Sequence, residues 1–176
     1  MSYEVASVIR EHAPFVWRAL RHLGAPDAQL DDLCQDVFVV IFRKLPAFEG
    51  RSSLRTWIFG ICRNVAKSAA RQRGRLREAL GEPVPETAVP ELQTGAIARQ
   101  QVRAQLDQAL RALPEPMRMV FVLFEIECMP SNEVAEALGC PPSTVYSRLY
   151  AARARVYAAL ERTGAIERGQ TIAEVI

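Results

Sequence analysis

The chain has 176 residues, 49% of them apolar and 24% charged, with a formal net charge of +2. That length suits one ordinary domain or two small ones, and the apolar share excludes a globally disordered chain. Cys34, Cys62, Cys128 and Cys140 form no CxxC pair and lie far from His12 and His22, which argues against a metal site and for buried thiols in a reducing compartment.

Met1 to Glu4 carries no basic flank and no apolar run, and no apolar stretch approaches the roughly 18 residues that span a bilayer. A cytoplasmic protein is expected. Helical periodicity runs from about Ser7 to Leu23, and Gly24-Ala25-Pro26 breaks it. Asp27 or Asp31 can cap a second helix carrying Leu33, Val37, Val40, Ile41 and Phe42, which Pro46 and Gly50 end. Ser52 or Ser53 can cap a third, with Leu54, Trp57, Ile58 and Ile61 on its apolar face. That register assigns Trp57 to the core.

The third helix continues into Arg63, Asn64, Lys67, Arg71, Arg73, Arg75 and Arg77: six cations in fifteen residues, with no acid among them. From Gly81 to Gly95 the composition turns to Pro83, Pro85 and Pro90 with Glu82, Glu86 and Glu91, and no Lys or Arg. Proline forbids regular helix there, so the stretch reads as a linker. The fold class expected is all-α: residues 1–78 and 96–164 as two small helical domains, 79–95 as a flexible acidic linker, and 165–176 as a tail. In the second domain a helix with Val102, Leu106 and Leu110 precedes the Leu113-Pro114-Glu115-Pro116 turn, and a further apolar helix runs from Met117 to Glu127.

Residues 131–150 carry the clearest local signal, a helix-turn-helix. Ser131 can cap a short helix with Val134, Ala135 and Leu138 inward, and Gly139 supplies the tight turn. Pro142 or Ser143 opens the next helix, where Val145 and Leu149 pack back. This leaves Ser143, Thr144, Tyr146, Ser147 and Arg148 outward at its leading end, with Arg153 and Arg155 extending the positive strip. Hydroxyls and arginines at that place suit phosphates and base edges in duplex DNA. An ordinary helical hairpin with a solvated basic face is the plain alternative.

Two features of the first domain add to this. Asp32, Gln35 and Asp36 make one acidic-polar ridge flanked by Phe38 and Phe42, a combination suited to docking a protein. Phe48-Glu49-Gly50-Arg51-Ser52-Ser53 is a short loop opening onto a helix amino end, suited to phosphates and splayed bases. The cations downstream favour a polyanion through counterion release. No activated nucleophile, metal set or phosphate-cradling Gly-rich loop is visible, so neither a cofactor nor enzymatic chemistry is expected.

These motifs, in this order and spacing, resemble the sigma-70 family of RNA polymerase sigma factors, extracytoplasmic-function group, over nearly the whole chain. Asp31 to Phe38 looks like region 2.2, Phe48 to Trp57 like region 2.3, and Ile61-Cys62-Arg63-Asn64 with the basic run like region 2.4. Leu113 to Arg118 is similar to the opening of region 4, and Ser143 to Arg155 to its recognition helix. The resemblance implies that Asp32, Gln35, Asp36, Phe38 and Phe42 bind the β′ clamp helices of core RNA polymerase. It implies minus-ten promoter contacts by Phe48, Gly50, Arg51, Ser52, Ser53, Arg63, Asn64, Lys67 and Arg71, the loop capturing a flipped base. Minus-thirty-five contacts would come from Ser143, Thr144, Tyr146, Ser147, Arg148 and Arg153, with the β flap as a further partner and an anti-sigma factor as regulator. The chain departs from the family at Asp36, where Glu is commoner, and at Tyr146 and Tyr150-Ala151, where basic residues are frequent. A conventional helix-turn-helix regulator acting without polymerase leaves the acidic ridge and the Phe48 to Trp57 loop unexplained, and loss of promoter-specific transcription on mutating Arg148 would argue against a decoy that occupies polymerase without reading DNA.

Overall fold

The computed structural model describes residues 4–80 and 97–166, with side chains described over 4–76 and 102–166. The acidic stretch from Gly81 to Gly95, the Arg77 side chain and the tail beyond residue 166 lie outside the described residues. Among the described residues there are seven α-helices and no strand: α1 Val5–His22, α2 Leu30–Lys44, α3 Leu54–Leu80, α4 Ile97–Arg111, α5 Glu115–Phe121, α6 Ser131–Leu138 and α7 Pro142–Arg162.

Helices α1, α2 and α3 pack on one another, and α7 is the spine against which α4, α5 and α6 pack. Each half has an apolar interior made by the expected periodicity. Val16, Leu20, Val37, Ile41, Ile58 and Phe59 are fully enclosed in the first, and Leu110, Phe121, Leu123, Val134, Val145 and Val156 in the second. Burying such side chains stabilises by about 1.5–3 kcal/mol each before entropy is subtracted. Contacts between α3 and α6 bring the halves together. Ile166 at the end of the described chain is also buried.

The caps agree with expectation at α3 and at the end of α6 and depart from it at the starts of α2 and α6. At α3, Ser53 rather than Ser52 takes the role: its Oγ accepts the Thr56 N–H at 3.2 Å, which satisfies one of the orphan donors of the first turn. Asp27 and Asp31 do not cap α2. Asp27 heads a 3-10 turn, Asp27–Gln29, and Asp31 already lies in the first helical turn, where its charge complements the helix dipole. Nor does Ser131 cap α6; the helix starts on that residue after Pro130, leaving the hydroxyl to accept from Tyr146 Oη at 3.0 Å. Gly139 closes α6 as expected, at φ 65° and ψ 41°. The Cys140 N–H returns to the Ala135 carbonyl and the Gly139 N–H to that of Glu136, the paired bonds of a left-handed helix stop.

The apolar run expected as one helix from Met117 to Glu127 is instead α5 followed by a π-helical turn over Val122–Ile126. The Glu127 N–H reaches the Val122 carbonyl and the Met129 N–H that of Leu123. Cys128 follows with φ 51°, an uncommon conformation for a side chain with a Cβ. Glu127, which closes this turn, is buried.

Candidate nucleic-acid interface

Helix α2 divides its side chains cleanly. Leu33, Val37 and Ile41 are buried, so Asp32, Gln35 and Asp36 face solvent as an exposed ridge. Phe38 does not belong fully to that surface, because it is half-buried against the core. Phe42 is 63% exposed, and Val39, which the sequence reading passed over, is 46% exposed beside it. Exposed apolar residues rimmed by carboxylates are the composition of a protein-binding patch.

The loop after α2 forms a shallow pocket of about 190 Å³ lined by Ala47, Phe48, Glu49, Arg51, Ser52 and Trp57. Phe48 and Trp57 meet with ring centroids 5.0 Å apart and planes tilted by 42°. Trp57 is therefore only partly a core residue; its half-exposed ring forms a wall of the pocket, which apolar register alone could not show. Gly50 takes φ 70° at the loop tip, and Arg51 pairs with Glu49 at 3.0 Å on the open surface, an exposed pair of little energetic weight.

Along α3, Arg63, Asn64, Lys67 and Arg71 are exposed. Arg63, Lys67 and Arg71 recur every fourth residue and so share one face. Arg63 and Ser53 are engaged within the molecule, however. Arg63 Nη1 donates to the Ala137 carbonyl at 3.1 Å and Ser53 Oγ donates to Glu133 Oε2 at 2.5 Å, both on α6. Arg73 donates to Gln29 Oε1 at 3.0 Å.

In the helix-turn-helix, Val145 and Leu149 are buried, with Ser143, Tyr146 and Ser147 exposed and Thr144 and Arg148 half-buried at the leading end of α7. Ser147 Oγ donates to the Thr144 carbonyl at 3.1 Å. Arg153 is ion-paired with Glu125 and sits 6.0 Å from the Phe124 ring. Tyr150, absent from the expected contacts, is 79% exposed one turn beyond Tyr146.

The largest omission of the sequence reading is Glu127, 4% exposed. Its Oε1 accepts from Arg18 Nε at 2.5 Å and its Oε2 from Arg18 Nη2 at 2.9 Å and Arg55 Nη2 at 2.8 Å. Glu125 and Glu127 interrupt the otherwise apolar run Phe121 to Met129, and that interruption was the only sign of it in the sequence. Nearby, burial and then the surrounding Arg21, Arg118, Arg111 and Arg18 push the His22 pKa down to about 4. Burial likewise pushes the Cys62 thiol up, which keeps it protonated and inert. Among the described residues no group of His, Cys, Asp and Glu could hold a metal ion, and no helix is long and apolar enough to cross a membrane.

Helices throughout the described residues, an exposed acidic ridge, an aromatic pocket beside a cationic helix, and a helix-turn-helix are together the features of a DNA-binding factor of transcription. The sigma-70 region 2 model matches residues 8–76 and the sigma-70 region 4 model residues 103–156. The RNA polymerase sigma-H factor of Pseudomonas aeruginosa is 30% identical, over 77% of this chain and 75% of that one. The ECF RNA polymerase sigma-E factor of Escherichia coli K12 is 28% identical, over 73% and 72%. The sigma factor RpoE of Bartonella quintana, solved in complex with the anti-sigma factor NepR, matches at TM-score 0.70 and 27% identity, over 86% of this chain and 95% of that one. CnrH, solved with the cytosolic domain of CnrY, matches at TM-score 0.65 and 26% identity, over 90% and 88%. The chain belongs to the sigma-70 family, in its extracytoplasmic-function group. It is a factor of promoter-specific transcription initiation.

Proposed function

We propose that the chain is a dissociable specificity subunit with no catalytic activity of its own, and that its surfaces divide the work of opening a promoter. The α2 ridge of Asp32, Gln35 and Asp36, with Phe42, Val39 and the edge of Phe38, docks on the β′ clamp helices of core polymerase. The pocket walled by Phe48 and Trp57 takes one unstacked base of the minus-ten element, with Gly50, Arg51, Ser52 and Ser53 around it. Arg63, Asn64, Lys67 and Arg71 hold the adjoining strand. Residues 1–78 form this unit and 96–164 the minus-thirty-five reader, in which Ser143, Thr144, Tyr146, Ser147, Arg148 and Arg153 meet duplex DNA and the β flap is touched. Residues 79–95 join the two as an acidic linker, and 165–176 form a tail.

Physically, duplex contacts fix position. Binding of separated bases then offsets unpairing, which costs a few kcal/mol per flipped base. The observation that carries this reading is the pairing of an exposed carboxylate and phenylalanine ridge with an aromatic pocket one loop away. A regulator acting without polymerase has no use for that ridge and is not favoured by the match to sigma-70 region 2. An anti-sigma factor is the expected regulator, by likeness to RpoE and CnrH, and a cytoplasmic location follows from work on polymerase.

The test is transcription in vitro by core polymerase on a promoter library. Initiation should depend on this chain, and Asp36→Arg should weaken core association by at least about tenfold, the loss of a central charged contact, while far-ultraviolet circular dichroism stays unchanged. Undiminished association would remove the ridge from the polymerase interface.

A further inference from the structure

We propose that Tyr146 and Tyr150 set the sequence preference of the duplex reader: their rings form one flank of α7 and take the 5-methyl groups of thymines on one strand. This deepens the reading of α7 as the helix that enters the minus-thirty-five element, and rests on it.

Helix α7 sorts its side chains into four strips. Val145, Leu149, Ala152 and Val156 are buried and hold the helix on its own half. Opposite them Ser143, Ser147 and Ala154 recur at helical spacing and are exposed, so this crest carries nothing longer than a serine side chain. One flank holds Arg148 and Arg155, with Thr144 one turn ahead. The other holds Tyr146 and Tyr150, 55% and 79% exposed and four residues apart, so that they lie one above the other. The cation on that flank is Arg153, and Glu125 pairs with it. The helix thus has one charged flank and one nearly neutral aromatic flank.

From Pro142 to Leu160 there are three arginines and no acid, which fits a polyanion better than a protein surface. A crest of small side chains lets the helix sit deep in a major groove roughly 12 Å wide, and its flanks then face opposite walls. Arg148 and Arg155 pair with phosphates of one strand. The tyrosine flank meets the other strand, where the thymine methyl is the apolar feature that the major groove offers. Rings gain by burying that methyl, whereas a neutral flank gains little from phosphate. Tyr146 is prepared for this contact. Its hydroxyl donates to Ser131 Oγ at 3.0 Å, which fixes the ring before DNA arrives and lowers the ordering cost of binding. Tyr150 is the most exposed large apolar side chain among the described residues, and a groove that covers it removes that ring from water.

The experiment uses holoenzyme assembled from core polymerase and the full chain, on a promoter from which it initiates. Thymines of the minus-thirty-five element are replaced one at a time by deoxyuridine, which deletes only the methyl. At a contacted position native holoenzyme should bind about fourfold more weakly, the worth of one buried methyl. Tyr150→Ala should weaken binding and abolish that loss at one position at least, while Tyr150→Phe keeps it. The slope of log affinity against log salt should stay unchanged in Tyr150→Ala and flatten by about one contact in Arg148→Ala. Native holoenzyme indifferent to every methyl, an element without thymine on either strand, or Tyr150→Phe as impaired as Tyr150→Ala overturns the tyrosine assignment. If Arg148→Ala still weakens binding in that case, α7 remains the duplex reader. If Arg148→Ala changes neither affinity nor slope, the reading of α7 itself falls, and the tyrosines serve a protein contact instead.

Discussion

Phe42 and Ile41 are neighbours in sequence with opposite fates, one 63% exposed and the other fully enclosed. Their substitutions should therefore separate binding from folding. Phe42→Ala removes nothing from the core, so unfolding in urea should shift by no more than about 0.5 kcal/mol, while affinity for core polymerase falls about tenfold or more, the loss of an aromatic anchor. Ile41→Ala should cost about 2–5 kcal/mol of stability through the cavity it leaves. A Phe42→Ala chain as stable and as tightly bound as the native one would exclude the aromatic from the interface. Periodicity made Val37 and Ile41 legible as core, because a helix repeats its buried face every three to four residues. It could not rank Phe38 against Phe42, since both flank the stripe and only the packing of α1 and α3 decides which is covered. Glu127 was less legible still: its partners lie 72 and 109 residues away in sequence, and no local pattern encodes them.

In helix α7, the leading turn was readable from the Gly139 stop and the buried Val145 and Leu149, but the state of its cations was not. Arg153 was expected on the DNA-facing strip. It is exposed and also ion-paired with Glu125, a residue of the π-helical turn, which no local pattern in the sequence pairs with it. In the native chain Glu125 competes with phosphate for Arg153; Glu125→Gln removes that competing charge and should let Arg153 pair with phosphate fully. The slope of log affinity for promoter duplex against log salt should then steepen by about one contact's worth. An unchanged slope, measured by fluorescence anisotropy across a salt series, would mean that Arg153 does not reach the backbone. Ser131 makes the same point about elements: its type suits a cap, yet Pro130 already precedes the helix and Tyr146 claims the hydroxyl.

The two helical halves were readable from composition, since a proline-rich acidic stretch separates two periodic ones, but their meeting was not, because it is built from isolated arginines and acids far apart in the chain. That meeting also sets the acid sensitivity of the whole molecule. His22, at the end of α1, is held neutral by burial and by Arg21 and Arg18 on its own helix and Arg111 and Arg118 from the other half, its pKa lowered to about 4. The unfolded chain takes up a proton near pH 6.5, the folded one only near pH 4. Between those values the unfolded state binds more protons, so stability falls as pH falls. The ceiling is about 3 kcal/mol, reached below pH 4 and reduced by the partial exposure of the ring. Asp107, raised by burial, acts in the opposite sense, gaining stability as it is protonated, and so blunts the decline. His22→Asn removes the histidine contribution and leaves Asp107 in place. Urea midpoints measured from pH 7 to pH 4 should drop less steeply in His22→Asn than in the native chain, and parallel curves would show that the cluster of four arginines does not govern this titration.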